Sequence, residues 1–148
     1  MASYRVLVVD DQKDIRRLLA TALRSVGLPL DIIEVPSAEE AMLVATRRPV
    51  DLLITDIALP GISGLELVNK FRTRFPGIKI ILITGMTDSR TRRQLEAADV
   101  DAYGAAAAAG EEGDHSCLLF LVRRRNSQPA PRNSRLAVFF SAVATAGR

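Results

Sequence analysis

The feature that most limits how this chain can fold is a repeated alternation of short apolar runs and longer amphipathic segments. The runs have the length of strands buried on both faces, and the segments after them carry apolar residues at helical spacing. The runs cover residues 6–9, 32–35, 52–54 and 80–83, and a fifth would begin at Ala102-Tyr103. Four or five such units predict a doubly wound α/β fold with a parallel sheet. The periodicity does not predict the strand order.

The predicted helices have clear boundaries. An apolar stripe marks the first helix, which Gly27 and Pro29 should end. Its members are Ile15, Leu18, Leu19, Ala22, Leu23 and Val26. The Ser-x-x-Glu patterns at 37–40 and 63–66 predict that two further helices begin with capping boxes.

Three predicted strands end in side chains that can do chemistry. Asp10 and Asp11 follow the first strand, Asp56 ends the third, and Thr84 ends the fourth. Open α/β sheets bind ligands at this carboxyl edge. The alternative interpretation of Asp56 is an ordinary turn residue, since Asp often begins turns.

In a sheet of order 2-1-3-4-5, the first and third strands are neighbours, and the three carboxylates would meet where the strand order reverses. Close carboxylates repel one another, and Mg²⁺, which takes oxygen ligands and keeps waters that a phosphate can replace, would offset that repulsion. A carboxylate beside Mg²⁺ can attack phosphorus and form an aspartyl phosphate. The hydroxyl of Thr84 could then bond a phosphoryl oxygen.

Residues 4–103 resemble the receiver domain of two-component response regulators. The resemblance rests on Asp10-Asp11, Asp56 followed by Leu59-Pro60 and Gly64, Thr84-Gly85, and Tyr103. It implies a flavodoxin-like (βα)5 fold of order 2-1-3-4-5. It also implies phosphorelay signalling rather than enzymatic turnover, beyond slow self-dephosphorylation.

The resemblance also implies a role for each matching residue. Asp56 would be the phosphoacceptor, and Asp11, Asp56 and the backbone carbonyl of Ala58 would bind Mg²⁺, with Asp10 helping through a water. Thr84 would be the switch hydroxyl and Tyr103 the switch aromatic. The expected partners are a histidine kinase or a histidine phosphotransfer protein. A protein contact is also plausible on the fourth helix, whose Arg90, Arg92 and Arg93 otherwise form a solvated face.

The resemblance stops near residue 104. The family has a lysine followed by a proline three residues after the aromatic, where this chain has Ala106 and Ala107, and no lysine follows Lys79. Five alanines at 105–109 suit a strand poorly, and no amphipathic fifth helix can be recognised, so the fifth strand and helix are doubtful. We therefore expect a receiver domain over 1–103, with 122 as an alternative end, and an atypical basic tail over 104–148 without an output domain.

Three explanations of this tail stay open. It could be the product of a frameshift or a fused sequence. The chain could instead be a degenerate receiver that acts as a protein-interaction module without phosphorylation switching. In the third explanation the tail is a real extension in which an arginine, such as one of Arg123-Arg124-Arg125, replaces the lysine.

Composition excludes several other classes of protein. The net charge of +3 lies wholly in residues 104–148, which hold 6 Arg and 3 acidic residues, and a solvated or disordered basic tail is expected there rather than nucleic-acid binding. One cysteine and one histidine exclude an intrachain disulfide and a Cys/His zinc or catalytic site. With no signal peptide or membrane span apparent, we expect a cytoplasmic protein.

The rival class is an enzyme, a phosphatase of the haloacid dehalogenase type. That family needs Asp-x-Asp after the first strand, and here Asp10 is followed by Asp11 and Gln12. The two classes predict different phosphorylated residues, Asp10 in the phosphatase and Asp56 in the receiver. A pure interaction module would show no Mg²⁺-dependent change.

Overall fold

The computed structural model describes residues 3–25, 27–85, 88–105 and 123–124. In chain order the elements are β1 (Tyr4–Val9), α1 (Lys13–Arg24), β2 (Leu30–Val35), α2 (Ala38–Arg47), β3 (Leu52–Asp56), α3 (Gly64–Arg74), β4 (Lys79–Thr84), α4 (Ser89–Ala97), β5 (Ala102–Ala105) and β6 (Arg123–Arg124). The strands form one sheet of order β2-β1-β3-β4-β5-β6. Strands β1 to β5 are parallel, which confirms the predicted fold and strand order.

The side chains of alternate residues in the central strands pack into two separate hydrophobic cores, one on each face of the sheet. Leu7 and Leu53 point to the face covered by α2 and α3, where Phe71 is fully buried. Val6 and Leu52 point to the opposite face, where Leu19 and Leu23 of α1 pack against the sheet. This period of two explains why the strands are apolar throughout, since both faces of the sheet are buried.

Of the two predicted capping boxes, one forms completely and the other in part. The capping box of α3 is confirmed, because Ser63 Oγ accepts the Glu66 N–H and the Glu66 carboxylate accepts the Ser63 N–H. At α2, Ser37 Oγ accepts the Glu40 N–H at 3.2 Å, but the reciprocal bond is absent from this described helix start. Val26, the last residue of the predicted α1 stripe, lies outside the described residues.

The end of the chain differs from the expectation in two respects. The doubtful fifth strand forms as β5, with Tyr103 opposite Leu82 of β4. The backbone of Arg123 and Arg124, expected in a solvated or disordered tail, instead pairs antiparallel with β5 as β6. A fifth helix would fall outside the described residues, and the boundary at 103 stays a prediction.

The amino ends of the strands are held by two arginines. Arg5 donates from Nε to Asp31 Oδ2 at 3.0 Å and from a terminal nitrogen to the Pro49 carbonyl at 2.8 Å. Arg72 of α3 donates to the Ile78 carbonyl and to Asp101 Oδ2, both at 2.8 Å. These bonds lie at the edge of the sheet opposite Asp10 and Asp56, so they hold the strands without occupying the carboxyl edge.

Candidate functional site

The sheet brings three carboxylates together at its carboxyl edge. Asp10 and Asp11 follow β1, Asp56 ends β3, and Val9 and Thr55 are register partners on these neighbouring strands. One carboxylate oxygen from each acid lies within 4.8 Å of the other two. Asp10 is buried at 2% exposure, Asp56 is half-buried, and Asp11 is exposed. The cluster predicted from the strand ends therefore forms, with solvent access on the Asp11 side.

Backbone N–H groups orient two of these carboxylates. Asp10 Oδ1 accepts the N–H of Gln12 at 2.9 Å, and Asp56 Oδ1 accepts the N–H of Ala58 at 3.1 Å. Each bond joins an Asp side chain to the N–H two residues later, which is the geometry of an Asx turn. Asp56 is thus a turn residue, as the alternative interpretation predicted. This role coexists with the cluster, because one carboxylate can accept several hydrogen bonds.

Burial and mutual repulsion make the ionised cluster unfavourable without a cation. Burial, followed by the charges of Asp56 and Asp11, raises the pKa of Asp10 to about 6, and the Gln12 N–H opposes this rise. Burial and the Asp11 charge also raise the pKa of Asp56, against the Ala58 N–H. Within residues 3–25, 27–85 and 88–105, the ion pairs join other acids and none involves these three. This all-oxygen donor set, which no ion pair within the described part of the chain compensates, fits a hard divalent cation such as Mg²⁺.

The loop after Asp56 needs a glycine where α3 begins. A Cβ placed on Gly64 would lie 1.9 Å from the backbone oxygen of Asp56, closer than any side chain can approach. The Gly64 N–H donates to the Ile57 carbonyl at 3.1 Å, which closes the loop. Gly64 therefore lets α3 begin against the end of β3, and this packing places Asp56 and Ala58 at the sheet edge.

Thr84 lies on β4, the neighbour of the Asp56 strand, and Tyr103 lies on β5, one strand further out. Thr84 ends β4 one residue beyond Ile83, the register partner of Asp56, and is buried at 1% exposure. Tyr103 in β5 is half-buried against the core on the α2–α3 face. The predicted switch pair is thus on adjacent strands on the side of β3 away from β1. Ala106, at the position of the family lysine, lies outside the described residues.

One neighbour of the cluster has no counterpart among the residues predicted from the sequence. Arg16, in the first turns of α1, donates to the backbone carbonyl of Asp10 at 2.7 Å and is half-buried. It ties the start of α1 to the end of β1 and so restrains the Asp10-Asp11 turn. The only signal in the sequence is a basic residue one and a half turns after the acid pair, on a face that periodicity alone treats as solvated.

Comparisons with known proteins point in one direction. The family model described as "Response regulator receiver domain" matches residues 6–105. The response regulator protein PilR of Pseudomonas aeruginosa is 31% identical over 137 residues, which cover 92% of this chain and 30% of PilR. The chain spans less than half of the length of the first curated relatives it matches.

Two solved structures agree with the sequence comparisons. The response regulator TrrA of Thermotoga maritima, solved in complex with Mg²⁺–BeF, is 38% identical with a TM-score of 0.60, covering 70% of this chain and 87% of that chain. A response regulator receiver protein from Pseudomonas putida is 31% identical with a TM-score of 0.63, covering 71% and 87%. Among the described residues, no helix is both long and apolar enough to span a membrane.

Proposed function

Because this chain belongs to the response regulator receiver domain family of two-component phosphorelay signalling, we propose that Asp56 is the residue that accepts the phosphoryl group. Phosphoryl acceptance on an aspartate is the family function. The observation that carries the choice of Asp56 is its position in the carboxylate cluster, half-buried at the end of β3 beside Asp10 and Asp11. A partly exposed carboxylate can meet a donor, whereas Asp10 is almost fully buried.

The reaction follows from this placement. A carboxylate oxygen of Asp56 attacks the donor phosphorus, the bond from phosphorus to the leaving group breaks, and the leaving group takes the electron pair, so that acetate leaves as its anion and a histidine nitrogen takes a proton from water. The Ala58 N–H holds Asp56 Oδ1 at 3.1 Å, which fixes the orientation of the nucleophile. The product is an acyl phosphate. Its slow hydrolysis, which regenerates the Asp56 carboxylate, is the self-dephosphorylation that we expect of the domain. We propose a histidine kinase or histidine phosphotransfer protein as the physiological donor.

The same residues would hold Mg²⁺. Asp11, Asp56 and the Ala58 carbonyl are the proposed direct ligands, and Asp10 would act through a water. When bound, the cation supplies positive charge that offsets the three carboxylates and the incoming phosphate. The related TrrA was solved in complex with Mg²⁺–BeF, which supports this assignment.

The proposed response involves Thr84 and Tyr103. The Thr84 hydroxyl would bond a phosphoryl oxygen, and the ring of Tyr103 would follow its movement. In the family a lysine offsets the charge of the phosphoryl group. This chain has Ala106 at that position, directly after β5, so that offset is missing. We therefore expect inefficient phosphorylation and a weak conformational response. Ala106→Lys should strengthen both, since β5 runs up to Ala105.

Mass spectrometry after treatment with acetyl phosphate and Mg²⁺ tests this proposal. An adduct is expected in the unmodified chain and in Asp14→Asn, which removes an exposed acid of α1, but not in Asp56→Asn. Borohydride reduction and peptide mapping identify the modified residue. An adduct that persists in Asp56→Asn, or maps to Asp10 as a phosphatase would require, contradicts the assignment.

The second candidate is a degenerate receiver that binds partners without switching. The absent lysine at Ala106 is the observation that favours it. The exposed arginines of α4, Arg90, Arg92 and Arg93, are the proposed contact surface. Such a protein would show no adduct and no Mg²⁺-dependent change in the amide signals of Asp10, Asp11, Asp56 and Ala58. A cytoplasmic location is part of either proposal, and the single cysteine favours a reducing compartment.

A further inference from the structure

The outer edge of β5 carries a strand that the receiver resemblance does not account for. β5 is short and consists of Ala102, Tyr103, Gly104 and Ala105, of which three are residue types depleted in strands. On its inner side it pairs with β4, and on its outer side Tyr103 is opposite Arg123 in β6. An unpaired strand edge is a template for pairing with another chain. Here residues 123–124 pair with Ala102 and Tyr103 along that edge.

The hydrogen-bond directions show which residues make this pairing. The Ile57 N–H donates to the Ile83 carbonyl at 2.9 Å, so the main-chain groups of Ile83 face β3. Main-chain groups alternate in direction along a strand, so those of Leu82 face β5. In a parallel pair, a residue bonds to the two neighbours of its register partner, and the register partner of Leu82 is Tyr103.

Tyr103 therefore presents its own main-chain groups to β6. The bonds of Leu82 are made with Ala102 and Gly104, which leaves the N–H and carbonyl of Tyr103 directed outward. In an antiparallel pair, two opposite residues that face each other exchange both hydrogen bonds. Arg123 is opposite Tyr103, so by this alternation Arg123 is the residue that exchanges both bonds with Tyr103, and the main-chain groups of Arg124 face away from β5.

We propose that the outer edge of β5 is a strand-addition site, and that its occupant is this chain's own strand β6, Arg123–Arg124. The occupied edge holds the weak strand β5 in the sheet and keeps it from pairing with a second copy of the chain. The site works through backbone hydrogen bonds, so it depends neither on the arginine charges nor on phosphorylation of Asp56.

Hydrogen exchange of single amides in the full chain tests this proposal. Arg123→Pro removes the donor that faces Tyr103 and should speed exchange of the Tyr103 amide by about tenfold. Arg124→Pro, whose N–H faces outward, and Arg123→Ala, which keeps the N–H but not the charge, should leave the Tyr103 amide protected. The amides of Leu7 and Leu53 in the central strands report whether each variant is folded.

A peptide with the sequence of β6 and its neighbours should restore the lost protection. Residues 121–126 added as a free peptide should restore Tyr103 protection in Arg123→Pro, and the same peptide with proline at position 123 should not. Sedimentation should show self-association of Arg123→Pro that the native peptide suppresses. The proposal is overturned if the Tyr103 amide exchanges freely in the unmodified chain, if its protection survives Arg123→Pro, or if Arg123→Ala removes it as fully as Arg123→Pro.

Discussion

Replacing Asp10 with asparagine should make the cation-free protein more stable. Asn has nearly the same shape as Asp, and its Oδ1 can still accept the Gln12 N–H that Asp10 accepts at 2.9 Å. The substitution removes one buried negative charge from a cluster in which Asp11 and Asp56 supply two more. The protein therefore loses a repulsion without losing the turn.

The size of the effect follows from the pKa of Asp10. That pKa rises from 3.8 to about 6 on folding, so the folded state binds the proton more tightly than the unfolded state does. The stability contributed by Asp10 is complete below about pH 4 and is lost as the pH rises to about 6. The loss is on the order of 3 kcal/mol above that range, because each pKa unit corresponds to about 1.4 kcal/mol. Asn at position 10 has no such loss.

Urea unfolding with a chelator present measures the difference. Asp10→Asn and the unmodified chain should be nearly equal at about pH 4, and the variant should be more stable by about 3 kcal/mol at about pH 7. Mg²⁺ should reduce this difference in the free energy of unfolding by stabilising the unmodified chain. A ligand at 100 times its Kd stabilises the folded state by about 2.7 kcal/mol. Asp14→Asn, on the exposed face of α1, serves as the control for loss of charge.

Two results would refute this reasoning. One is an Asp10→Asn protein that is no more stable than the unmodified chain at neutral pH without divalent cations. The other is a difference that stays constant between about pH 4 and about pH 7, because a charge effect must follow the titration of Asp10.

Two further predictions concern stability. Gly64→Ala should lower the free energy of unfolding by about 3 kcal/mol or more, because its Cβ would lie 1.9 Å from the Asp56 backbone oxygen. Gly77→Ala, whose Cβ would meet nothing within 4 Å, is the matched control, and equal thermal melts for both would contradict this account. Arg72→Ala should lower the free energy of unfolding by about 2–4 kcal/mol in urea unfolding, since it removes three bonds of 2.8 Å that join α3 to the residues just before β4 and β5. Arg74→Ala, an exposed change in the same turn, should cost far less.

The site can be predicted from the sequence because its chemistry lies at strand ends. Continuous apolar runs mark where buried strands stop, so the sequence alone assigns Asp10, Asp56 and Thr84 to one edge of the sheet. Periodicity cannot show that β1 and β3 are neighbours, because strand order is set by packing across the whole sheet. That step comes from the family resemblance, and the register of Val9 with Thr55 confirms it.

The elements that the sequence does not predict depend on partners distant in the chain. Local propensity argues against β5, yet Asp101 immediately before it accepts the Ile80 N–H and an Arg72 N–H at 2.8 Å each, which anchors the strand beside β4. β6 has two residues and no apolar pattern, so only its pairing with Ala102 and Tyr103 of β5 identifies it as a strand. The contact of Arg16 cannot be predicted because its target is a backbone carbonyl, which leaves no mark in the sequence.

The position of β1 inside the sheet has a consequence for synthesis on the ribosome. β1 is translated before both strands that flank it, and its pairing with β3 joins Val6 to Leu52. A nascent chain that has completed only β2 therefore exposes one unpaired backbone edge of the apolar strand β1 to solvent. Such edges aggregate or bind chaperones. Translational pausing between β2 and β3 should thus lower the yield of folded protein more than pausing after β3, where β1 is already enclosed.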